Sequence, residues 1–504
     1  MFLTLLSAFS LILSFPKFSL WPLAWIAFVP VFYAARREQK FGGVFLHFYL
    51  MGFIFFFFSV EWLRHVSYFG WIFVATKYAL YFGVFGLIVH WFWKRNHFFL
   101  SLIALPSIWV VLEWMRAEVP VWGFGWNLLS YSHSFNLDIS GIASIIGAYG
   151  LSWLIMFANL SIFFILDFEL SHRKSDGIIA ITGILGLALV FGIYFAYDLK
   201  PEINSKGPNI RAVIVQGNIP QAQKWDYAHK IPILKTHEAL SRLGAGKEVA
   251  DLIIWPEAAY PGFYNVDQEK MRMHNLADEL KSPILFGGLD VEGAGSNVEH
   301  YFNSAFLILP NEHEETRYDK IRLVSFGEYV PWRTFFNLFG LERLAYSLGV
   351  SDFEPGRDIK AFSIKEIKFS TLICFEDTFP SMALKAVKGG AQFLVVITND
   401  AWFSKSAAPY QHLQASIFRA IENGVPLIRS ANTGVSAVIA SNGKVLDEVK
   451  DKSGNTTFIA GVLSRSVSLN QGTTFYQSKG YLLPYFFLGL SLLSFMTAMI
   501  WNHK

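Results

Sequence analysis

Long apolar runs dominate the first 200 residues of the chain and return once close to its end. They cover residues 3–15, 20–35, 44–60, 69–93, 98–115, 140–167, 176–197 and 481–500. A helix that crosses a bilayer needs about 20 apolar residues, and the last six runs approach or exceed that length. The first two are separated only by Pro16-Lys17, so they form either a tight helical hairpin or one long kinked element. The pattern predicts a membrane domain over 1–200 with about seven transmembrane helices, and one further transmembrane helix at 481–500.

Positive charge in the short loops predicts the orientation of these helices. Alternate loops carry the basic residues Arg36, Arg37, Lys40, Lys94, Arg95, Arg173 and Lys174, and Lys504 falls on the same side. The opposite loops hold only Lys17, Arg64 and Arg116. Because basic loops stay in the cytoplasm, we expect both termini inside and the region after residue 197 outside. The first run lacks a charged start and a small-residue cleavage site, so we expect it to be retained.

Residues 205–470 follow a different pattern, in which short apolar runs alternate with amphipathic stretches. The runs predict strands at 210–216, 251–255, 283–287, 305–309, 370–374, 393–398 and 436–440. Helical periodicity covers 267–280 and 410–423, and Gly424 closes the second stretch. Strands and helices in this order predict an α/β sandwich in which helices cover mixed sheets.

Composition supports a membrane protein and limits the possible chemistry. Charged residues make up 16% of the chain, against about 25% in soluble domains, and the mean hydropathy is +0.36. The net charge of +3 and the lack of a basic stripe give no indication of a nucleic-acid partner. Cys374 is the only cysteine, which excludes an intramolecular disulfide and a cysteine-based metal site. We expect neither a metal nor a cofactor.

Polar residues follow three of the predicted strands. Glu257, Cys374 and Asn399 each stand at a strand exit, where the sites of α/β sheets collect. A cysteine nucleophile needs a base or a positive neighbour to become a thiolate, and no histidine lies in a recognisable cysteine–histidine motif. A carboxylate base with a lysine is the other route, and Lys320 lies in an unusually dense polar loop at 318–331.

These residues carry a resemblance to a known family. Glu257 in Trp-Pro-Glu, Lys320 in Tyr-Asp-Lys and Cys374 in Ile-Cys-Phe-Glu resemble, in order and spacing, the Glu–Lys–Cys triad of the nitrilase superfamily. Longer strings resemble its membrane-bound branch, the apolipoprotein N-acyltransferases. They are Val215-Gln-Gly-Asn-Ile-Pro-Gln221, Lys224-Trp-Asp226, Phe326-Gly-Glu-Tyr-Val-Pro331, Thr398-Asn-Asp-Ala-Trp-Phe403, His412-Leu-Gln414, Arg419-Ala420, Asn432-Thr-Gly-Val435 and Leu112-Glu-Trp-Met-Arg116. The resemblance covers nearly the whole chain. It implies a multi-pass α-helical membrane domain joined to a nitrilase-like αββα sandwich at 205–470.

The resemblance implies an acyl transfer in two steps. Glu257 would take the thiol proton of Cys374, and the sulfur would attack an ester of a membrane phospholipid, typically phosphatidylethanolamine. Lys320 would stabilise the oxyanion, together with a backbone N–H near Phe375. The thioester would then acylate the α-amino group of the diacylglyceryl-cysteine of an apolipoprotein. It further implies a bacterial inner-membrane protein with a periplasmic catalytic domain, and a monomer, since the site is complete within one chain.

Other positions carry over from the family motifs. Glu328 would hold Lys320 in place, Trp225 and Glu376 would line or brace the site, and Asn303 would hold a loop near the pocket. The family usually has tyrosine where this chain has Phe375, so a hydroxyl is lost while the backbone donor remains. Ser404 stands where glycine is commoner, so we expect that loop to bend differently.

Two other functions share some of these features. A membrane-tethered carbon–nitrogen hydrolase would use the same triad, although the family-specific strings and the eight spans argue against it. A transporter or receptor would need charges at mid-bilayer, whereas Glu113, Arg116 and Asp167 lie near the ends of their segments. The amphipathic, aromatic stretch 335–350 is either an arm that dips into the membrane interface or a core helix. If it is an arm, replacing Phe335 and Phe339 with serine should impair lipid turnover without unfolding the domain.

Overall fold

The computed structural model describes residues 1–119, 123–171, 174–196, 207–296, 298–329, 352–469 and 472–501. The stretch 335–350, predicted as either an interfacial arm or a core helix, lies outside the described residues. The membrane part consists of helices α1 (Phe2–Leu13), α2 (Val29–Arg37), α3 (Phe41–Ser59), α4 (Tyr68–Lys94), α5 (Phe98–Glu118), α6 (Ala143–Ser171), α7 (Lys174–Ala196) and α12 (Leu483–Trp501). Helix α6 is interrupted at Gly147, which has φ of +65°.

Six helices of the described residues are long and apolar enough to cross a bilayer. They are α3, α4, α5, α6, α7 and the C-terminal helix that includes α12. The first two apolar runs instead form α1 and α2, of 12 and 9 residues, which are shorter than the about 20 residues a span needs. They are two separate helices in contact, since the Ser7 hydroxyl accepts the N–H of Val31. The count of seven spans plus one stays a prediction.

Ion pairs lie within the membrane part. Arg116 lies 3.9 Å from Glu113, and the Glu113 carboxylate accepts the N–H of Leu129 at 2.7 Å. Arg36 of α2 lies 3.4 Å from Asp167 of α6. Buried charge is therefore used to join the helices and the loop after α5.

Two six-stranded sheets form the middle of residues 207–469. The elements there are β1 (Asn209–Gln216), α8 (Lys230–Ala245), β2 (Leu252–Ile254), α9 (Met271–Leu280), β3 (Ile284–Glu292), β4 (His300–Ile308), β5 (Thr316–Asp319), β6 (Ala361–Ile364), β7 (Ile367–Ile373), α10 (Pro380–Lys388), β8 (Phe393–Thr398), α11 (Ala408–Asn423), β9 (Leu427–Ala431), β10 (Ala437–Ile439), β11 (Val445–Glu448) and β12 (Gly461–Ser468). The strand orders are β12-β1-β2-β3-β4-β5 and β11-β10-β9-β8-β7-β6.

Alternating side chains build a four-layer sandwich. In β8, Val395 and Ile397 face the core between the two sheets, whereas Leu394 and Val396 face the outer helical layer, as the two-residue period of a strand requires. Helices α8 and α9 cover the first sheet, and α10 and α11 cover the second. The predicted αββα sandwich beside an α-helical membrane part is confirmed.

Helix α11 joins the sandwich to the membrane part. Gln411 accepts a hydrogen bond from the Trp62 indole at 2.9 Å and donates to the carbonyl of Ser59 at 2.8 Å. Farther along, Arg419 donates to the Tyr131 hydroxyl at 3.0 Å. The membrane helices thus contact the same helix that covers the second sheet.

Candidate active site

Cys374 lies where strand β7 ends and a short 3-10 helix, Cys374–Thr378, begins. Its φ is +55°, in the left-handed region that costs a non-glycine residue about 1–2 kcal/mol. Residues held in such conformations cluster at functional sites, where surrounding contacts maintain them. The side chain is partly exposed.

A buried group of charged and amide side chains lies beside this strand end. Lys320 follows β5 and donates to Glu257 Oε1 at 3.2 Å and to Glu328 Oε1 at 2.8 Å. The amide of Asn303, on β4, donates to the same two oxygens at 2.9 Å each. The second oxygen of Glu257 accepts the N–H of Asn399 at 2.9 Å. The structure therefore brings together four of the predicted site residues and ties them to a second strand exit.

Electrostatics fix the charges of this group. Burial alone would lower the pKa of Lys320, but Glu257 and Glu328 outweigh it and raise that pKa well above its usual range. Burial alone would raise the pKa of Glu257, but Lys320, the Asn303 amide and Lys224 lower it. Glu257 and Lys320 are therefore a carboxylate and an ammonium ion at neutral pH.

Cys374 is a neutral thiol at rest. Burial raises its pKa well above the usual range, the negative charge of Glu257 adds to this effect, and Lys320 opposes it. A thiol this weakly acidic cannot rely on a standing population of thiolate. Its proton must leave as the sulfur attacks, so a nearby carboxylate base is chemically required.

Glu376 and Phe375, the residues after Cys374, contact the loop that carries Lys320. Glu376 is fully buried and accepts the N–H groups of Ile321 at 2.7 Å, Arg322 at 3.0 Å and Ile373 at 2.8 Å. The Phe375 ring centroid lies 5.9 Å from Lys320 Nζ. Glu376 thereby joins the end of β7 to the residues that follow Lys320.

Trp225 lies outside the polar group. The residue is 48% exposed, whereas its neighbour Lys224 is buried. Lys224 Nζ donates to the main-chain carbonyl of Glu257 at 2.9 Å. This contact was not predicted, although Lys224 belongs to one of the motifs.

A second group of buried charges lies on the other side of Cys374. His412 of α11 has Nδ1 3.0 Å from Asp400 and Nε2 3.0 Å from Asp377, and Arg429 lies 3.2 Å from each carboxylate. Nε2 also approaches the carbonyl of Cys374, at 3.3 Å. Two carboxylates facing both ring nitrogens require an imidazolium. Two positive and two negative charges therefore balance, and they hold the main chain of Cys374.

The sandwich should lose stability at alkaline pH through His412. Burial and Arg429 oppose its charge, but Asp377 and Asp400 raise its pKa, and the pKa of Asp400 is lowered to about 2. When folding raises the pKa of a group, the stability that the group contributes is fully present below its unfolded-state pKa, which is about 6.5 for histidine. That contribution is lost as pH rises through the folded-state pKa. We expect the melting temperature of the purified protein to fall, relative to His412→Gln, between pH 6 and pH 9. A pH-independent difference would contradict this.

Comparison with known proteins matches both parts of the chain. A family described as the apolipoprotein N-acyltransferase N-terminal domain matches residues 7–161, and the carbon-nitrogen hydrolase family matches residues 211–471. The apolipoprotein N-acyltransferase of Geobacter metallireducens is 35% identical over 95% of this chain and 91% of its own. Those of Haemophilus influenzae and Chlorobaculum tepidum are 30% and 29% identical, over 96% and 97% of this chain and 91% and 95% of their own.

Proposed function

The chain belongs to the apolipoprotein N-acyltransferase family, and from this premise we propose how its residues carry out the transfer. It is an enzyme, an acyltransferase of a bacterial membrane with a carbon-nitrogen hydrolase domain. The donor is a membrane phospholipid, with phosphatidylethanolamine as the first candidate. The acceptor is the α-amino group of the diacylglyceryl-cysteine of an apolipoprotein.

In the first half-reaction the Cys374 sulfur attacks the ester carbonyl carbon while Glu257 takes the thiol proton. The ammonium of Lys320 and the N–H of Phe375 stabilise the oxyanion, an arrangement worth about 10²–10³ in rate per donor. When the carbon–oxygen bond breaks, Glu257 gives its proton to the leaving lysophospholipid. A thioester remains on Cys374.

In the second half-reaction the acceptor amine attacks the thioester carbon. Glu257 takes a proton from the amine, and the sulfur leaves and recovers that proton as the amide forms. The thioester stores the acyl group in a form reactive towards amines, so the proposed reaction consumes no ATP and uses no cofactor. Glu328 and Asn303 keep Lys320 and Glu257 in contact throughout.

The observation that carries the proposal is the placement of Lys320. Its side chain is 1% exposed and lies between the carboxylates of Glu257 and Glu328. The positive charge of Lys320 also acts to lower the pKa of Cys374, the only thiol in the chain. A buried lysine held charged in this way supplies a fixed positive charge in a water-poor site.

We further propose that the catalytic domain faces the periplasm, that both termini are cytoplasmic and that the enzyme works as a monomer. The basic residues on alternate loops support this orientation. The two lipid-bearing substrates support a site at headgroup height, since each CH₂ moved into water costs about 0.8 kcal/mol.

Intact-mass analysis tests the two-step chemistry. Wild-type protein mixed with phosphatidylethanolamine in detergent micelles should gain the mass of one acyl group, which hydroxylamine removes because it cleaves thioesters. A diacylglyceryl-cysteine peptide added next should take up the acyl group, whereas the same peptide with an acetylated amine should not. No mass gain would refute the acyl-enzyme, and release of free fatty acid without peptide acylation would identify a hydrolase.

A further inference from the structure

Lys224 is held in place by a set of amide contacts that end at the active site. The loop after β1 is fixed where Asn432 Oδ1 accepts the N–H of Ile219 at 2.8 Å and Asn432 Nδ2 donates to the Ile219 carbonyl at 2.8 Å. Asn399 donates to the side chain of Gln221 at 2.8 Å, and its own N–H contacts Glu257. The loop that carries Lys224 is thus joined to a strand exit of the second sheet.

The side chain of Lys224 points into the protein, although its neighbour Trp225 points outwards. Lys224 is 1% exposed, and Trp225 is 48% exposed. Its ammonium donates to the main-chain carbonyl of Glu257 at 2.9 Å, the only hydrogen bond it makes among the described residues. A buried ammonium with a single neutral acceptor is costly unless negative charge nearby compensates it.

The charges around Lys224 show what compensates it. The groups that face it are the Glu257 carboxylate, the Cys374 thiol and the imidazole of His237 on α8. Burial lowers the pKa of His237 to about 4, so that ring is neutral at pH 7. Glu257 and Glu328 carry two negative charges against the single positive charge of Lys320. A charged Lys224 brings this group to neutrality.

We infer that Lys224 is a second cation of the active site and acts as a positioning residue for Glu257 and the Cys374 sulfur. Its hydrogen bond fixes the peptide that carries the general base. Its positive charge offsets the second carboxylate, so that negative charge can develop on the sulfur. The inference deepens the proposed function and rests on it for the role of Glu257.

The charge of Lys224 changes within an accessible pH range. Burial lowers its pKa to about 8, although Glu257 and Cys374 oppose this shift. Lys224 is therefore charged below pH 8 and neutral above it. Lys320, whose pKa is raised well above its usual range, stays charged throughout.

Alkylation of Cys374 by iodoacetamide measures this effect without lipid. The thiolate displaces iodide and forms a carbon–sulfur bond, and Cys374 is the only thiol in the chain. Lys224→Gln keeps a donor for the Glu257 carbonyl and removes the charge. We expect alkylation of this variant to be about tenfold slower at pH 7, the equivalent of one pKa unit. The difference should shrink as pH rises through 8, because wild-type Lys224 then loses its proton as well.

Lys224→Arg and Lys365→Gln serve as controls. Arginine keeps its charge to high pH, so its rate advantage over Lys224→Gln should persist above pH 8. Lys365 forms an ion pair with Asp251, and its side chain is 77% exposed. Cys374 of the Lys365→Gln variant should therefore be alkylated at the wild-type rate. Melting temperatures of all variants establish that they are folded.

The wild-type profile tests the inference even if the variants fold poorly. The logarithm of the alkylation rate should rise by less than one unit per pH unit around pH 8, where Lys224 loses its proton. The inference is wrong if that profile rises evenly, or if folded Lys224→Gln reacts within twofold of the wild type at pH 7. Because alkylation needs no phospholipid, failure of acyl loading in a protein with the expected alkylation profile would count against the proposed function alone.

Discussion

Cys374→Ala should abolish acyl loading and acyl transfer while leaving the protein folded. The chain has no second cysteine that could replace it. Alanine removes the sulfur and keeps a β-carbon, so the left-handed backbone at φ +55° gains no additional strain. The intact mass after incubation with phospholipid should equal that of the untreated variant, and transfer to the acceptor peptide should fall to background.

Cys374→Ser tests whether a hydroxyl can replace the thiol as the nucleophile. A hydroxyl is far less acidic than a thiol, and this site already raises the pKa of the thiol through burial and the charge of Glu257. Serine should therefore show no acyl gain on the timescale of wild-type loading. An alanine variant that still acquires a hydroxylamine-sensitive acyl group would place the nucleophile elsewhere.

Lys320→Met should reduce both activity and stability. Methionine fills a similar volume but leaves Glu257 and Glu328 side by side in a buried site, each with its hydrogen bond from Asn303. Breaking a buried ion pair by removing one partner costs about 3–5 kcal/mol of stability. Loss of the oxyanion donor lowers the rate of acyl loading by a further 10²–10³ or so. Loading rate and melting temperature of the purified variant measure the two effects.

Two variants separate these effects. Lys320→Met combined with Glu328→Gln removes one unpaired carboxylate and should recover part of the stability but none of the activity. Lys365→Met breaks an ion pair whose lysine is 77% exposed and should change neither, because exposed pairs contribute little. If the double variant regained loading, Lys320 would be a structural residue and another donor would stabilise the oxyanion.

Hydropathy predicted most of the helical part because bilayer thickness sets a length that a sequence shows directly. It could not show that the second run divides into a 3-10 helix, Trp21–Trp25, and the short helix α2, since that run is apolar throughout. Strand alternation and polar strand exits predicted the sandwich and the region of the site. Strand β9 was missed because Arg429 stands in its middle, and only the fold shows that Asp377 and Asp400 neutralise that charge.

The resemblance implied the contact of Glu328 with Lys320, but the contacts of Asn303 and Lys224 with the site could not be predicted from the sequence. Asn303 contacts Glu257 and Glu328 at sequence separations of 46 and 25 residues, and Lys224 contacts Glu257 at 33. Such pairings depend on loop conformation and on which strands become neighbours, whereas hydrophobic periodicity defines only the face on which a side chain lies. The resemblance predicts that Trp225 lines or braces the site, and the sequence did not show that this residue is 48% exposed.

Helix α11 makes the two halves of the enzyme inseparable. Fifteen of its 16 residues are buried: His412 contacts the main chain of Cys374, and Gln411 and Arg419 contact Ser59 and Tyr131 of the membrane part. Separating the membrane part from the sandwich would expose buried ion pairs and apolar side chains to water. A detergent-free, secreted version of the catalytic half would therefore need a redesigned α11.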